Sequence, residues 1–134
     1  MTSVAQHINI ENLSDQDRNR LGEIVLDQME DWGLSKDDQL ALLGLEGKTR
    51  SLSRYRHGHP LPDDPDVLER VRHLLGIGEA LRGYFPLNHK GGSVWLRHTN
   101  KYFHKKPPLR MMLEDGLIGM HRVWVNLDCT QGWD

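Results

Sequence analysis

The sequence predicts an all-α protein of 134 residues, built as two small helical units that meet near residue 86. Three observations carry this. Apolar residues recur at helical spacing along most of the chain, helix-starting Ser or Asp residues precede those stretches, and glycines or prolines close them. Hydrophobic residues make up 37% and charged residues 27%, ordinary globular usage that predicts a modest core rather than disorder.

The first helix is expected behind Ser14, with Asp17 three residues on in a capping-box arrangement. Leu21, Ile24, Val25, Met29 and Trp32 then share one face, and Gly33 suits a left-handed C-cap. Ser35 and Asp38 repeat the start signal for a brief helix that stops at Gly44. KTRSLSRYRHG forms a third helix with Leu52 and Tyr55 inward and Lys48, Arg50, Arg54 and Arg56 elsewhere. The prolines of His59-Pro60-Leu61-Pro62 make a loop. Asp64 then caps a long helix with Pro65 in its first turn, running to about Tyr84 before Pro86. Within it, GIGEALRG lacks nucleotide-loop spacing and follows no strand, so Gly76 and Gly78 are expected to allow close helix packing or a bend.

LNHKGGS is expected to be a flexible link, with Ser93 opening a short helix. LRMMLED, closed by Gly116, forms the next, and Met120, Val123, Trp124 and Leu127 mark the last. Cys129 to Asp134 are expected to form a tail. Trp95, Phe103, Leu109, Met111, Met112 and Trp124 are expected core residues of this second unit.

Charge is unevenly distributed. The net charge is −2, yet residues 1–46 hold 3 basic and 10 acidic side chains, 47–106 hold 12 and 5, and 107–134 hold 2 and 4. A polarised chain of this kind can present a basic face to a polyanion despite its acidic total. The longest apolar run, around residues 40–45, spans about six residues, far below the roughly 20 of a membrane-spanning helix. The first residues lack a signal peptide's basic and apolar regions, so a cytoplasmic location is expected. A lone Cys129 leaves no internal disulfide and no structural zinc spacing. The eight histidines form no recognisable ligand pattern, and no nucleophile elbow or phosphate loop occurs, so neither metal, cofactor nor catalytic residues are expected.

Residues 34–58 read as helix, link, helix, the arrangement of a helix-turn-helix whose second helix enters the major groove. Residues 47–60 carry four basic side chains and no acidic one. The expected DNA contacts are Lys48, Arg50, Arg54 and Arg56, with Thr49, Ser51 and Ser53 suited to phosphates. The link LEGKT is about two residues longer than the commonest turn of such motifs.

In the C-terminal half, Trp95-Leu96, Asn100, Phe103, Pro108-Leu109, Leu113, Asp115-Gly116, Gly119 and Val123 follow one another in a fixed order. This pattern resembles the toxin-binding domain of the Xre/MbcA/ParS antitoxin family. The N-terminal half is similar to that family's helix-turn-helix, through LLG, Arg54-Tyr55-Arg56 and LPDDPDVLERVRHLLGIGEALRGYFP. The resemblance covers roughly residues 30–128. It implies a helix-turn-helix DNA-binding domain over 1–86 and a toxin-binding domain with a C-terminal tail over 87–134. It further implies an antitoxin that occludes a RES-domain, NAD-consuming toxin and, as a homodimer, represses the shared operon by binding operator DNA. No membrane partner is expected.

The toxin contacts expected on that basis are Arg110, Glu114, His121 and Arg122 on the last two helices, and Asp128, Trp133 and Asp134 in an inhibitory arm. A C-terminal tryptophan offers an amphipathic anchor, and carboxylates could take the place of a dinucleotide's phosphates. The alternative is a stand-alone helix-turn-helix regulator whose C-terminal half dimerises or senses a ligand. An enzyme is a distant third.

Overall fold

The computed structural model describes residues 4–45, 47 and 49–131. Among them the regular structure is helical: α1 (Asp15–Asp31), α2 (Lys36–Leu43), α3 (Ser51–Arg56), α4 (Pro65–Tyr84), α5 (Gly91–Arg97), α6 (Pro108–Asp115) and α7 (Leu117–Gln131).

Local signals set most boundaries. The capping box at α1 is complete, Asp17 N donating to Ser14 Oγ at 3.1 Å and Ser14 N to Asp17 Oδ2 at 3.2 Å. Ser35 Oγ accepts from Asp38 N, and Asp64 Oδ1 from Asp66 N, ahead of α2 and α4. These bonds satisfy donors that a helix start leaves open. Gly33 and Gly44 both sit at φ +71°, where a side chain would be strained, and each turns the chain out of its helix.

Helix α4 organises the rest. At 20 residues it is about 30 Å long, and α1, α2, α5 and α7 all pack on it. Its most extensive contact is with α7. The two run in parallel, His73 meeting His121 and Gly76 meeting Trp124. A Cβ on Gly76 would lie 2.7 Å from Trp124 Nε1 and closer still to two ring carbons. At Gly78 it would run into the Gln28 side chain, whose Nε2 donates to the Leu74 carbonyl at 2.7 Å. Close packing therefore accounts for both glycines.

The structure departs from expectation in several places. Ile24 is 47% exposed, because Val25, Leu26 and Met29 occupy the part of α1 that meets the core. Helix α3 begins only at Ser51. Helix α5 starts at Gly91, so the end of the expected link is helical. Gly91 and Gly92 are buried against Phe85 and Leu81, where Cβ atoms would crowd those side chains. Trp95 and Leu109 are half-buried rather than central, whereas Phe103 is buried. Helix α7 continues to Gln131, which places Asp128 on a helix and removes the first part of the expected tail.

Residues 4–13 also carry structure that no sequence signal announced. Two 3-10 turns, Val4–His7 and Ile10–Asn12, lie along α4. Ala5 is fully buried, its N–H donates to Glu79 Oε1 at 3.1 Å, and Ile8, Ile10 and Leu13 pack on the core. The position near residue 86 falls in the α4–α5 corner, and buried residues from both sides of it contribute to one continuous core.

Candidate functional site

Two surfaces carry the residues singled out from sequence. The first is α3. Arg50, Ser53, Arg54 and His57 are all exposed and stand at i, i+3, i+4 and i+7, which puts them on one side of the helix. Leu52 on the opposite side is buried. Thr49 and Ser51 are half-buried, and Lys48 lies outside the described residues.

Arg56 does not join that outward face. Its Nη2 donates to the Leu26 carbonyl at 3.2 Å and lies 3.3 Å from Glu30 Oε1, while Nη1 lies 3.5 Å from Asp27 Oδ1. It rivets α3 to α1, its Nη1 and Nη2 turned onto Leu26, Asp27 and Glu30 rather than outward. Lys36, Thr49, Arg50, Leu52, Ser53 and Arg56 line a hollow of about 360 Å³ that adjoins the outward face. Gln39, 1% exposed, also lines it, and its Nε2 donates to the Leu34 carbonyl at 3.0 Å and to Glu30 Oε1 at 3.2 Å. Gln39 was absent from the sequence reading; a lone amide beside the apolar run 40–43 was the signal available.

The second surface lies on α6 and α7. Glu114 accepts from Lys106 Nζ and Arg110 Nε, each at 2.7 Å, and these bonds hold its carboxyl below the usual carboxylate range. Of the residues expected here, Arg110 and Glu114 are thus bound to each other. His121 and Arg122 are both exposed on α7, and Asp128 lies seven residues beyond His121. Partial burial pushes the Asp128 carboxyl up, and the like charge of Glu79 adds to this. Trp133 and Asp134 lie outside the described residues.

His121 has a buried supporter. Its Nδ1 is 3.2 Å from Nε2 of His73, whose own Nδ1 is 2.8 Å from the Glu69 carbonyl. A carbonyl can only accept, so the neutral His73 ring carries its proton on Nδ1 and offers a lone pair at Nε2. His121 Nδ1 must then donate to it. The Trp124 ring meets His73 edge-on at 5.0 Å between centroids, and Arg72 lies 5.5 Å over that same ring. Burial lowers the His73 pKa from 6.5.

Beside this pair a groove of about 670 Å³ runs between α7 and the turn at 101–104. Tyr102, Phe103, Met111 and Val125 form its apolar lining, and His104, His121, Arg122 and Asn126 its polar one. Tyr102 is 66% and Val125 44% exposed, and Ile118, one turn before Arg122, is 65% exposed. Sequence reading missed these three. The spacing Ile118, His121, Arg122, Val125 was visible, but the face it occupies depends on Met120, Val123, Trp124 and Leu127 taking the core side.

Among the described residues no helix is long and apolar enough to cross a membrane, and no three His, Cys, Asp or Glu side chains gather as metal ligands. No model of a known protein family matches the chain. It is 35% identical over 101 residues to the uncharacterized protein y4oB of Sinorhizobium fredii (strain NBRC 101917 / NGR234), a match covering 75% of this chain and 76% of that protein. The chain belongs to the same family as y4oB.

Proposed function

We propose that this protein is an antitoxin-type repressor with two working surfaces: the outward face of α3 reads operator DNA, and the C-terminal half holds a RES-domain toxin inactive. The observation that carries the DNA side is the exposed row Arg50, Ser53, Arg54 and His57 on a helix that follows α2, which Gly44 closes at φ +71°. Arg50 and Arg54 have no ion-pair partner among the described residues, so their guanidinium groups are available to phosphates and guanine edges. On the toxin side, support comes from the family resemblance and from the exposed apolar residues around His121 and Arg122. The NAD chemistry belongs to the toxin, and this chain acts by binding. The working form on DNA is a homodimer, because a recognition helix of six residues reads only a few base pairs.

Co-expression with the product of the adjacent gene tests the reading. The chain should rescue growth from that toxin, co-purify with it, and protect the shared promoter from nuclease. Arg50→Ala with Arg54→Ala should abolish promoter protection and leave rescue intact. Removal of residues 129–134 should release the toxin while DNA binding persists, if the C-terminal arm occludes the toxin's NAD cleft. Promoter binding without rescue of any adjacent toxin would identify a stand-alone regulator instead.

A further inference from the structure

The groove between α7 and the 101–104 turn is apolar along its floor and has the exposed Arg122 on its rim. Phe103 and Met111 form part of the floor, and Tyr102 and Val125 remain substantially exposed. Ile118 continues the apolar stripe into a neighbouring hollow of about 410 Å³ that shares His121 and Arg122. Exposed aromatic and aliphatic side chains clustered around a concavity mark a contact surface rather than scattered surface residues.

Among the described residues, the one charged side chain in the groove's lining is Arg122. Arg122 has no carboxylate partner among the described residues, and Lys101 and Lys105, which adjoin the lining residues Tyr102 and His104 in sequence, have none either. The neighbouring hollow holds a carboxylate, Glu69, but it is paired with Arg72, and Glu114 on α6 is taken up by Lys106 and Arg110. A basic partner would meet repulsion here, and a neutral one would leave Arg122 partly desolvated without a counter-charge. A nucleic acid would satisfy the rim but leave the aliphatic stripe of Ile118 and Val125 unused.

We propose that this groove takes a short segment of the partner protein in which one or two large apolar side chains are flanked by Asp or Glu. The apolar side chains sit between Tyr102 and Val125, and a flanking carboxylate pairs with Arg122. This rests on the reading of the C-terminal half as a partner-binding surface and specifies which part of a partner it would recognise.

The test uses the full chain and a phage-displayed library of random dodecapeptides, so it needs no knowledge of the partner. Selected peptides should be rich in Asp and Glu next to Leu, Ile, Phe or Trp. Their affinity should fall roughly tenfold or more with Arg122→Glu and with Val125→Asp, and should weaken with added salt. Both side chains are exposed, so circular dichroism melting of the variants should match the parent, and a Lys-for-Glu exchange in the peptide should restore binding to Arg122→Glu. Basic consensus peptides, no enrichment, or affinities indifferent to both substitutions would overturn the proposal. So would sedimentation showing that Val125→Asp dissolves a self-association, or single-stranded oligonucleotides outcompeting the peptides at the groove. Toxin rescue is scored separately: rescue that survives both groove variants sinks the groove and spares the antitoxin reading, whereas acidic-peptide capture without rescue does the reverse.

Discussion

Replacing Gly76 by alanine should destabilise the protein by about 2 kcal/mol, although alanine is the better helix former. The helix preference alone favours the variant by about 1 kcal/mol. Against it, the new Cβ would stand 2.7 Å from Trp124 Nε1 and nearer to two ring carbons, deep inside van der Waals contact. The ring has little room to retreat, because His73 meets it edge-on and Arg72 covers it. Overpacking of this kind costs about 1–3 kcal/mol, and a rigid indole places it near the upper end, leaving a net loss of about 2. Urea unfolding followed by far-UV circular dichroism measures this without relying on the perturbed tryptophan. The melting temperature should drop by roughly 6–8 °C for a chain of this size. A double-mutant cycle sharpens the test. In a Trp124→Leu background the Cβ has space, so Gly76→Ala should become neutral or favourable, a coupling of about 2–3 kcal/mol. A single variant as stable as the parent, or an additive pair, would show that Gly76 is not there to admit the indole.

Three further outcomes follow from named contacts. Burial lowers the His73 pKa, so the unfolded chain binds this proton more tightly than the folded one; stability should be full above about pH 6.5 and decline as the pH falls below that value toward the folded pKa. His73→Asn should flatten that slope in urea titrations between about pH 7 and 5, and an unchanged slope would exonerate His73. Arg56→Met should cost about 1 kcal/mol through the lost bond to the Leu26 carbonyl, with little from its exposed carboxylate partners, whereas Arg50→Ala and Arg54→Ala should stay within about 0.5. Equal stability losses for all three arginines would mean that α3 presents no outward cationic face. Ser14→Ala should cost about 1 kcal/mol and Ser14→Gly only a few tenths, read from thermal unfolding.

The features legible in the sequence are those whose causes lie within a few residues of each other. A serine hydroxyl reaches the N–H three residues on, so the starts of α1 and α2 were readable from Ser14, Asp17 and Ser35. A glycine needs only its own φ to turn the chain, so Gly33 and Gly44 marked helix ends. Pro65 and Pro86 bracketed α4 for the same reason, and helical periodicity placed Val123, Trp124 and Leu127 in the core. The row Arg50, Ser53, Arg54 belongs here too, since Leu52 and Tyr55 between them predict which side turns inward.

What the tertiary structure decided involves partners far apart along the chain. Arg54 and Arg56 look equivalent in sequence, but only Arg56 meets Leu26, Asp27 and Glu30, some 30 residues earlier, and is thereby withdrawn from the outward face. Residues 4–13 have little periodicity of their own and are ordered by α4, which offers Glu79 as an acceptor and an apolar surface for Ile8 and Ile10. His121 was one histidine among eight until α4 and α7 lay in parallel, bringing it within 3.2 Å of His73 and fixing which of its nitrogens faces outward. Local rules assign each residue its helix. Which face of that helix is covered depends on the helices it packs against, and a side chain's role is set by that cover.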